Sequence, residues 1–89
     1  MSIKKAQKQA IIEEYQLFEG DTGSPEVQVA LLTAAIEEVI DHLRKHKRDN
    51  NSRKGLLKKV SKRRRLLNFL MKLDEDRYKK MIVKVGLKR

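Results

Sequence analysis

Apolar residues recur along this chain at steps of three and four, the period of helices that bury one face. Ile11, Tyr15 and Phe18 follow one another in this way and predict a first helix over roughly 4–17. It ends before Glu19-Gly20-Asp21-Thr22-Gly23, a turn with two glycines. Ser24-Pro25-Glu26 then reads as an N-cap, a proline at the first helical position, and an acid near the positive helix end. A second helix is expected over about 25–45, with Val29, Leu32, Ile36, Val39 and Leu43 as its apolar stripe. Arg48-Asp49-Asn50-Asn51-Ser52 interrupts the pattern, and Asp49 or Asn50 should cap a third helix over about 50–73. Leu56, Val60, Leu67 and Leu70 form its stripe, with Leu57 and Met71 at one margin. Asp74 should cap a fourth helix, with Glu75 and Asp76 in its first turn and Tyr78, Met81, Ile82 and Val85 on its core face. Gly86 with Leu87 reads as the C-terminal cap. The expected fold is all-α, a single domain over residues 1–89. Three of its four helices should pack as a bundle, with a more mobile N-terminal helix.

Composition narrows the class. Leu, Ile, Val and Phe make up 25 of 89 residues, above the level of about 20% below which disorder is expected. The chain should therefore fold around a thin core. Without Cys, disulfides, thiolate metal sites and cysteine nucleophiles are excluded. No run approaches the about 18 apolar residues of a membrane span. Met1-Ser2-Ile3-Lys4-Lys5 has no apolar signal segment, so the cytoplasm is the expected address. The net charge is +10, and its distribution matters more than its size. Residues 1–43 carry three Lys against eight acids, a net of −5, whereas 44–89 carry 19 basic groups against four acids, a net of +15. Arg44 to Arg65 alone holds twelve cations and one acid, Asp49. Such a patch is the footprint of a polyanion binder.

The third helix has an apolar stripe and an opposite polar face with Lys54, Lys58, Ser61, Lys62, Arg65, Asn68 and Lys72. Phe69 also falls outside the stripe. Arg65, Phe69 and Lys72 follow i, i+4, i+7 spacing, a row that could meet phosphates and pack a ring on a sugar or base. The bland alternative is a solvated face with Phe69 tucked under the first helix. Arg63 and Arg64 flank the stripe and can simply snorkel. His42 and His46 stand one helical turn apart, a metal-ligand spacing, but a third and a fourth ligand would have to be found in a cation-dense neighbourhood, and no cofactor is implied. His42, Asp49 and Ser52 read better as short polar groups at adjoining helix ends, able to bond base edges and 2′-hydroxyls, with Arg48, Arg53 and Lys54 on phosphates. An acid inside a cationic patch weakens pure charge attraction. Asp49 therefore reads as a helix cap, as an acceptor for a base amino group, or as both. Thr22, Gly23 and Gln28 could bond another molecule at the first turn, or only shape the turn.

Four segments together resemble the bacterial small-subunit ribosomal protein fifteen family. They are Asp21-Thr22-Gly23-Ser24-Pro25-Glu26-Val27-Gln28-Val29-Ala30, the run from His42 through His46, Asp49, Ser52-Arg53 and Gly55-Leu56-Leu57, then Lys62-Arg63-Arg64, and Asp74 with Arg77-Tyr78. Their order and spacing extend from about residue 18 to the C-terminus; the first helix carries little of the likeness. The resemblance implies a four-helix protein bound early in assembly to the central domain of small-subunit ribosomal RNA. It implies a clamp on a three-way junction, with Thr22, Gly23 and Gln28 acting alongside Arg65, Phe69 and Lys72. It implies that His42, Asp49 and Ser52 read a G·U/G·C element in an adjoining minor groove. Further implied partners are neighbouring small-subunit proteins, the large subunit through an intersubunit bridge and, for some members, their own messenger RNA; no membrane is implied. Phe69 stands where the family usually has Tyr, Asn50-Asn51 where His is common, and Ala35 where a longer polar residue is frequent.

The mechanism expected is scaffolding by differential binding, with no enzymatic chemistry, since no nucleophile, base and orienting group come together. A small helical DNA-binding protein is the main competitor, with the third helix as its recognition helix; competition between structured RNA and duplex DNA separates the two. A module docking an acidic protein is a second competitor, for which a missing RNA band-shift would be the sign.

Overall fold

The computed structural model describes residues 4–86, in which four helices follow one another: α1 (Lys5–Tyr15), α2 (Pro25–Lys45), α3 (Asn50–Leu73) and α4 (Glu75–Val85). No strand occurs among the described residues. Each of the last three helices starts on a capping side chain. Ser24 Oγ accepts from Val27 N at 3.3 Å, ahead of Pro25 in the first turn of α2. Asp49 Oδ1 accepts from Ser52 N at 3.0 Å and settles which residue caps α3. Asp74 accepts from the backbone of Asp76 and Arg77 at 3.1 and 3.3 Å, so one residue ends α3 and starts α4. Gly86 closes α4 at φ 75°, a left-handed conformation that suits glycine. Leu87, expected to share that cap, lies outside the described residues.

α2 and α3 form an antiparallel hairpin. Val29, near the start of α2, shares a core with Leu67 and Leu70 near the end of α3, and Met81 and Ile82 of α4 complete it. Tyr15, Leu66, Tyr78 and Val85 pack around this cluster. The stripe of α2 continues through Ile36, Val39 and Leu43, all buried, while Leu32 is half-buried. Leu57 and Met71, at the margin of the α3 stripe, are exposed, whereas Leu66 takes a place against the core. Leu70 is fully buried, and truncating such a side chain typically costs about 2–5 kcal/mol.

α1 is shorter than its apolar spacing predicts. The helix ends at Tyr15 because Gln16 is extended (φ −61°, ψ 144°) and Leu17 N donates to Asp21 at 3.1 Å instead of continuing the helical ladder. Phe18 therefore lies beyond the helix and is exposed rather than part of a stripe. α1 rests on α2 and makes no packing contact with α3 among the described residues, and none of its residues is buried.

One polar contact ties α4 across the fold. Glu26, buried in the first turn of α2, receives Arg77 Nε at 2.6 Å and Arg77 Nη2 at 2.7 Å. This two-pronged geometry is the strong form of the pair, and it raises the Arg77 pKa. Sequence reading takes Glu26 only as an acid at a helix start; its partner lies 51 residues away.

Candidate nucleic-acid interface

The short connection between α2 and α3 gathers three side chains on one carboxylate. Asp49 Oδ1 accepts from Ser52 N, Asp49 Oδ2 accepts from Ser52 Oγ at 2.7 Å, and His42 Nε2 lies 2.8 Å from the same oxygen. The hydrogen bonds from Ser52, side chain and then backbone, and the one from His42 hold the Asp49 carboxyl far below the ordinary carboxylate range. An ionised carboxylate can only accept, so His42 Nε2 carries the proton and, in the neutral ring, Nδ1 becomes an acceptor. The His42 and His46 rings lie 4.6 Å apart, tilted by 31°. His42 and Asp49 side chains are only about one-third exposed (29% and 34%). Asp49 is thus both the cap of α3 and the hub of a polar cluster. The cluster keeps acceptor capacity on Ser52 Oγ and on the carboxylate, the complement of base amino groups and 2′-hydroxyls. Arg48, Arg53 and Lys54 are exposed around it, and Arg53 Nη2 donates to Lys47 O, closing the loop.

At the other end of the hairpin, Asp21 organises the α1–α2 turn. Its carboxylate is buried and accepts from Leu17 N at 3.1 Å, Gly23 N at 3.1 Å and Ser24 N at 3.0 Å. Hydrogen bonding from Ser24, Leu17 and Gly23 lowers its pKa. Thr22 and Gly23 are left exposed on the outside of this turn. Gln28 Nε2 donates to Thr22 O at 2.7 Å, which ties the start of α2 to the turn beside Gly23. A Cβ added to Gly23 would meet no atom within 4 Å, which leaves the backbone open to a close approach.

Arg65, Phe69 and Lys72 are all exposed on α3, with Phe69 at 55%. Phe69 is not tucked under α1, which removes the bland reading of that ring. Antiparallel pairing brings this row toward the same end of the hairpin as Thr22, Gly23 and Gln28. His42, Asp49 and Ser52 occupy the opposite end. Gln28 and His42 are fourteen residues apart on α2, about 21 Å of helix rise. Of the two arginines flanking the stripe, Arg63 is partly buried and donates to Thr33 Oγ1 at 3.3 Å, while Arg64 is exposed.

Two contributors escape a reading of sequence alone. Asp21 looks like an ordinary turn residue, yet its three backbone partners fix the turn. Arg77 offers a clearer signal: it lies four residues before Met81 on the core face of α4, and an arginine there requires a buried acid.

Taken together, the fold and the site define a small helical protein whose cationic hairpin suits a polyanion. The sequence profile described as Ribosomal protein S15 matches residues 8–88. The chain is 57% identical to the small ribosomal subunit protein uS15 of Chloroflexus aggregans and 53% identical to that of Staphylococcus carnosus, over the whole length of both partners in each comparison. The chain belongs to the ribosomal protein S15 family. It is a ribosomal protein of the small subunit, a structural component and not an enzyme, and its place is the cytoplasmic ribosome. No helix among the described residues is long and apolar enough to cross a membrane.

Proposed function

We propose that this protein binds the central domain of small-subunit ribosomal RNA early in assembly and holds a three-way junction in one conformation. Thr22, Gly23 and Gln28, with Arg65, Phe69 and Lys72, meet the junction. His42, Asp49 and Ser52 read a G·U/G·C element in the minor groove of an adjoining helix. The observation that carries this reading is the cluster on Asp49. A patch built for charge attraction alone has no use for an acid, whereas a carboxylate that orients His42 and Ser52 supplies acceptors for the shallow minor groove of A-form RNA. The surrounding cations supply affinity, and the two polar ends supply discrimination. Neighbouring small-subunit proteins, an intersubunit contact and the protein's own messenger RNA are further partners.

Footprinting of purified protein on small-subunit ribosomal RNA tests the proposal. Protection is expected at a junction and, separately, at a minor-groove element in an adjoining helix, with affinity falling steeply as salt rises. Uniform protection along any duplex, or an affinity indifferent to salt, would overturn it.

A further inference from the structure

Tyr15 ends α1, Lys84 lies in the last turn of α4, and three contacts join the two helix ends. Lys84 Nζ donates to Glu14 O at 3.0 Å and stands 4.2 Å from the centre of the Tyr15 ring, while Tyr15 Oη donates to Lys84 O at 3.4 Å. Glu14 O and Lys84 O both belong to last turns, where carbonyls lack intrahelical partners. Each helix therefore ends on a donor from the other, and the ammonium also faces the negative end of α1. The Tyr15 ring also packs against the core. The segment leaving α1 spans an open groove of about 480 Å³ lined by Tyr15, Leu17, Glu26, Arg77, Met81 and Lys84 among others.

From Tyr15 the chain passes through extended Gln16 to Leu17, whose N–H is held by Asp21, and Asp21 also holds Gly23 and Ser24. The clasp and Asp21 thus fix the two ends of the turn that displays Thr22 and Gly23. We infer that Tyr15 and Lys84 are positioning residues for RNA binding: their clasp holds the end of α1 on α4 and so keeps the Thr22–Gly23 backbone in the conformation the junction takes up. This rests on the junction reading above. Lys84, although exposed, acts through the position of α1 and not as a phosphate contact. When the clasp opens, the turn samples further conformations, and apparent affinity drops by the fraction that remains competent.

The test titrates the full chain and its Lys84→Met, Tyr15→Leu and doubly substituted variants against a three-way-junction fragment of small-subunit ribosomal RNA at several salt concentrations. Amide exchange is followed on each free protein. Each single substitution should weaken binding about threefold to tenfold. The double variant should bind no more weakly than the weaker-binding single one, because the two residues form one device. The slope of log affinity against log salt should stay unchanged, and exchange at Leu17, Gly23 and Ser24 should quicken. Lys84→Arg and Tyr15→Phe, which retain a cation over a ring, should bind within about twofold of the parent. A slope lowered by about one phosphate contact in Lys84→Met alone, with Tyr15→Leu silent, would make Lys84 a direct contact and overturn the inference. Parental affinity in both single variants would overturn it equally while leaving the junction reading intact. Failure of the parent chain to bind the fragment would instead overturn the junction reading, and the positioning role with it.

Discussion

Replacing Gly55 by alanine should make the free protein more stable and its RNA complex weaker. Gly55 lies in the second turn of α3, and alanine is favoured over glycine inside a helix by about 0.8–1.0 kcal/mol. Nothing in the fold subtracts from that gain. A Cβ at this position would meet no atom within 4 Å, and the residue is not among the glycines with positive φ. Gly55→Ala should therefore stabilise by about 1 kcal/mol, raising Tm by about 4–8 °C in a domain of this size. A glycine that costs stability without serving the fold needs another reason. Gly55 lies one turn beyond Ser52 on the same helix face, where bare backbone allows an RNA surface to come close to the His42, Asp49 and Ser52 cluster. On the proposed reading, the added methyl group should cost about tenfold in affinity for the minor-groove element, about 1.4 kcal/mol. The salt dependence should not change, because no cation is lost. Thermal unfolding and filter binding on one pair of proteins check both halves. A lower Tm would refute the helix argument. A higher Tm with unchanged affinity would refute the close approach.

Arg77→Met should destabilise by about 3 kcal/mol, because it strands the buried Glu26 charge, and adding Glu26→Leu should recover much of that loss in urea unfolding; equal stability of the two variants would refute the account. Asp49→Ala and Ser52→Ala should weaken binding to junction-bearing RNA more than to generic duplex, and Lys58→Ala should weaken both alike; equal effects on discrimination would refute the division between readout and phosphate contact. Asp21 and Asp49 have native pKa values below the ordinary 3.8, so the native state binds fewer protons than the unfolded chain in acid. Their contribution is complete above about pH 4–5 and is lost as pH falls through the native values. Asp49→Asn should flatten this acid limb of an unfolding-against-pH curve, and an equally steep limb would refute the assignment. Phe69→Ala should leave Tm within about 1 °C, since the ring is largely exposed, while lowering junction affinity by about 1–3 kcal/mol if the ring stacks on RNA; a large fall in Tm would mean the ring serves the core.

Local signals wrote most of the fold into the sequence. Ser24-Pro25 marks a helix start by chemistry that acts over three residues, and Asp74 does the same between α3 and α4, so these two caps were legible, whereas the α3 cap was narrowed only to Asp49 or Asn50. The stripe of α2 was legible too, because one helix face buried along its length leaves a regular trace. What escaped depends on partners far along the chain or on the end of a pattern. The spacing of Ile11, Tyr15 and Phe18 suits a helix, yet Asp21 captures Leu17 N and leaves Phe18 outside. Glu26 looks solvated in sequence, and Arg77, although on the core face of α4, does not name its partner; the two meet only once α4 folds back on α2. Leu66, outside the expected stripe, packs against the core that α3 shares with α4. At the candidate site, the grouping of His42, Asp49 and Ser52 was legible from helix-end spacing, and the structure brings them together on one carboxylate. The clasp between Tyr15 and Lys84 was not, since neither residue departs from its ordinary place in an amphipathic helix.

The two polar clusters stand at opposite ends of one stiff hairpin, and this arrangement bears on how a small protein can organise a large RNA. If each cluster sat on its own mobile loop, either could engage RNA in many geometries, and binding would favour no single one. Here both are fixed to α2 and α3, helices of 21 and 24 residues that pack along each other, with Val29, Leu67 and Leu70 in one core. On the proposed reading, an RNA gains both sets of contacts only when the junction and the minor-groove element are held about 21 Å apart along that axis. Conformers that satisfy one cluster gain only that cluster's free energy, so the population shifts by the difference and not by total affinity. The cations between Arg44 and Arg64 contribute to every conformer alike and cannot make this choice. Selection therefore rests on the rigidity of the hairpin and on the few groups at its ends, and the stabilising pairs that keep those ends in place, Glu26 with Arg77 and Asp49 with Ser52, serve the binding step as directly as the residues that touch RNA.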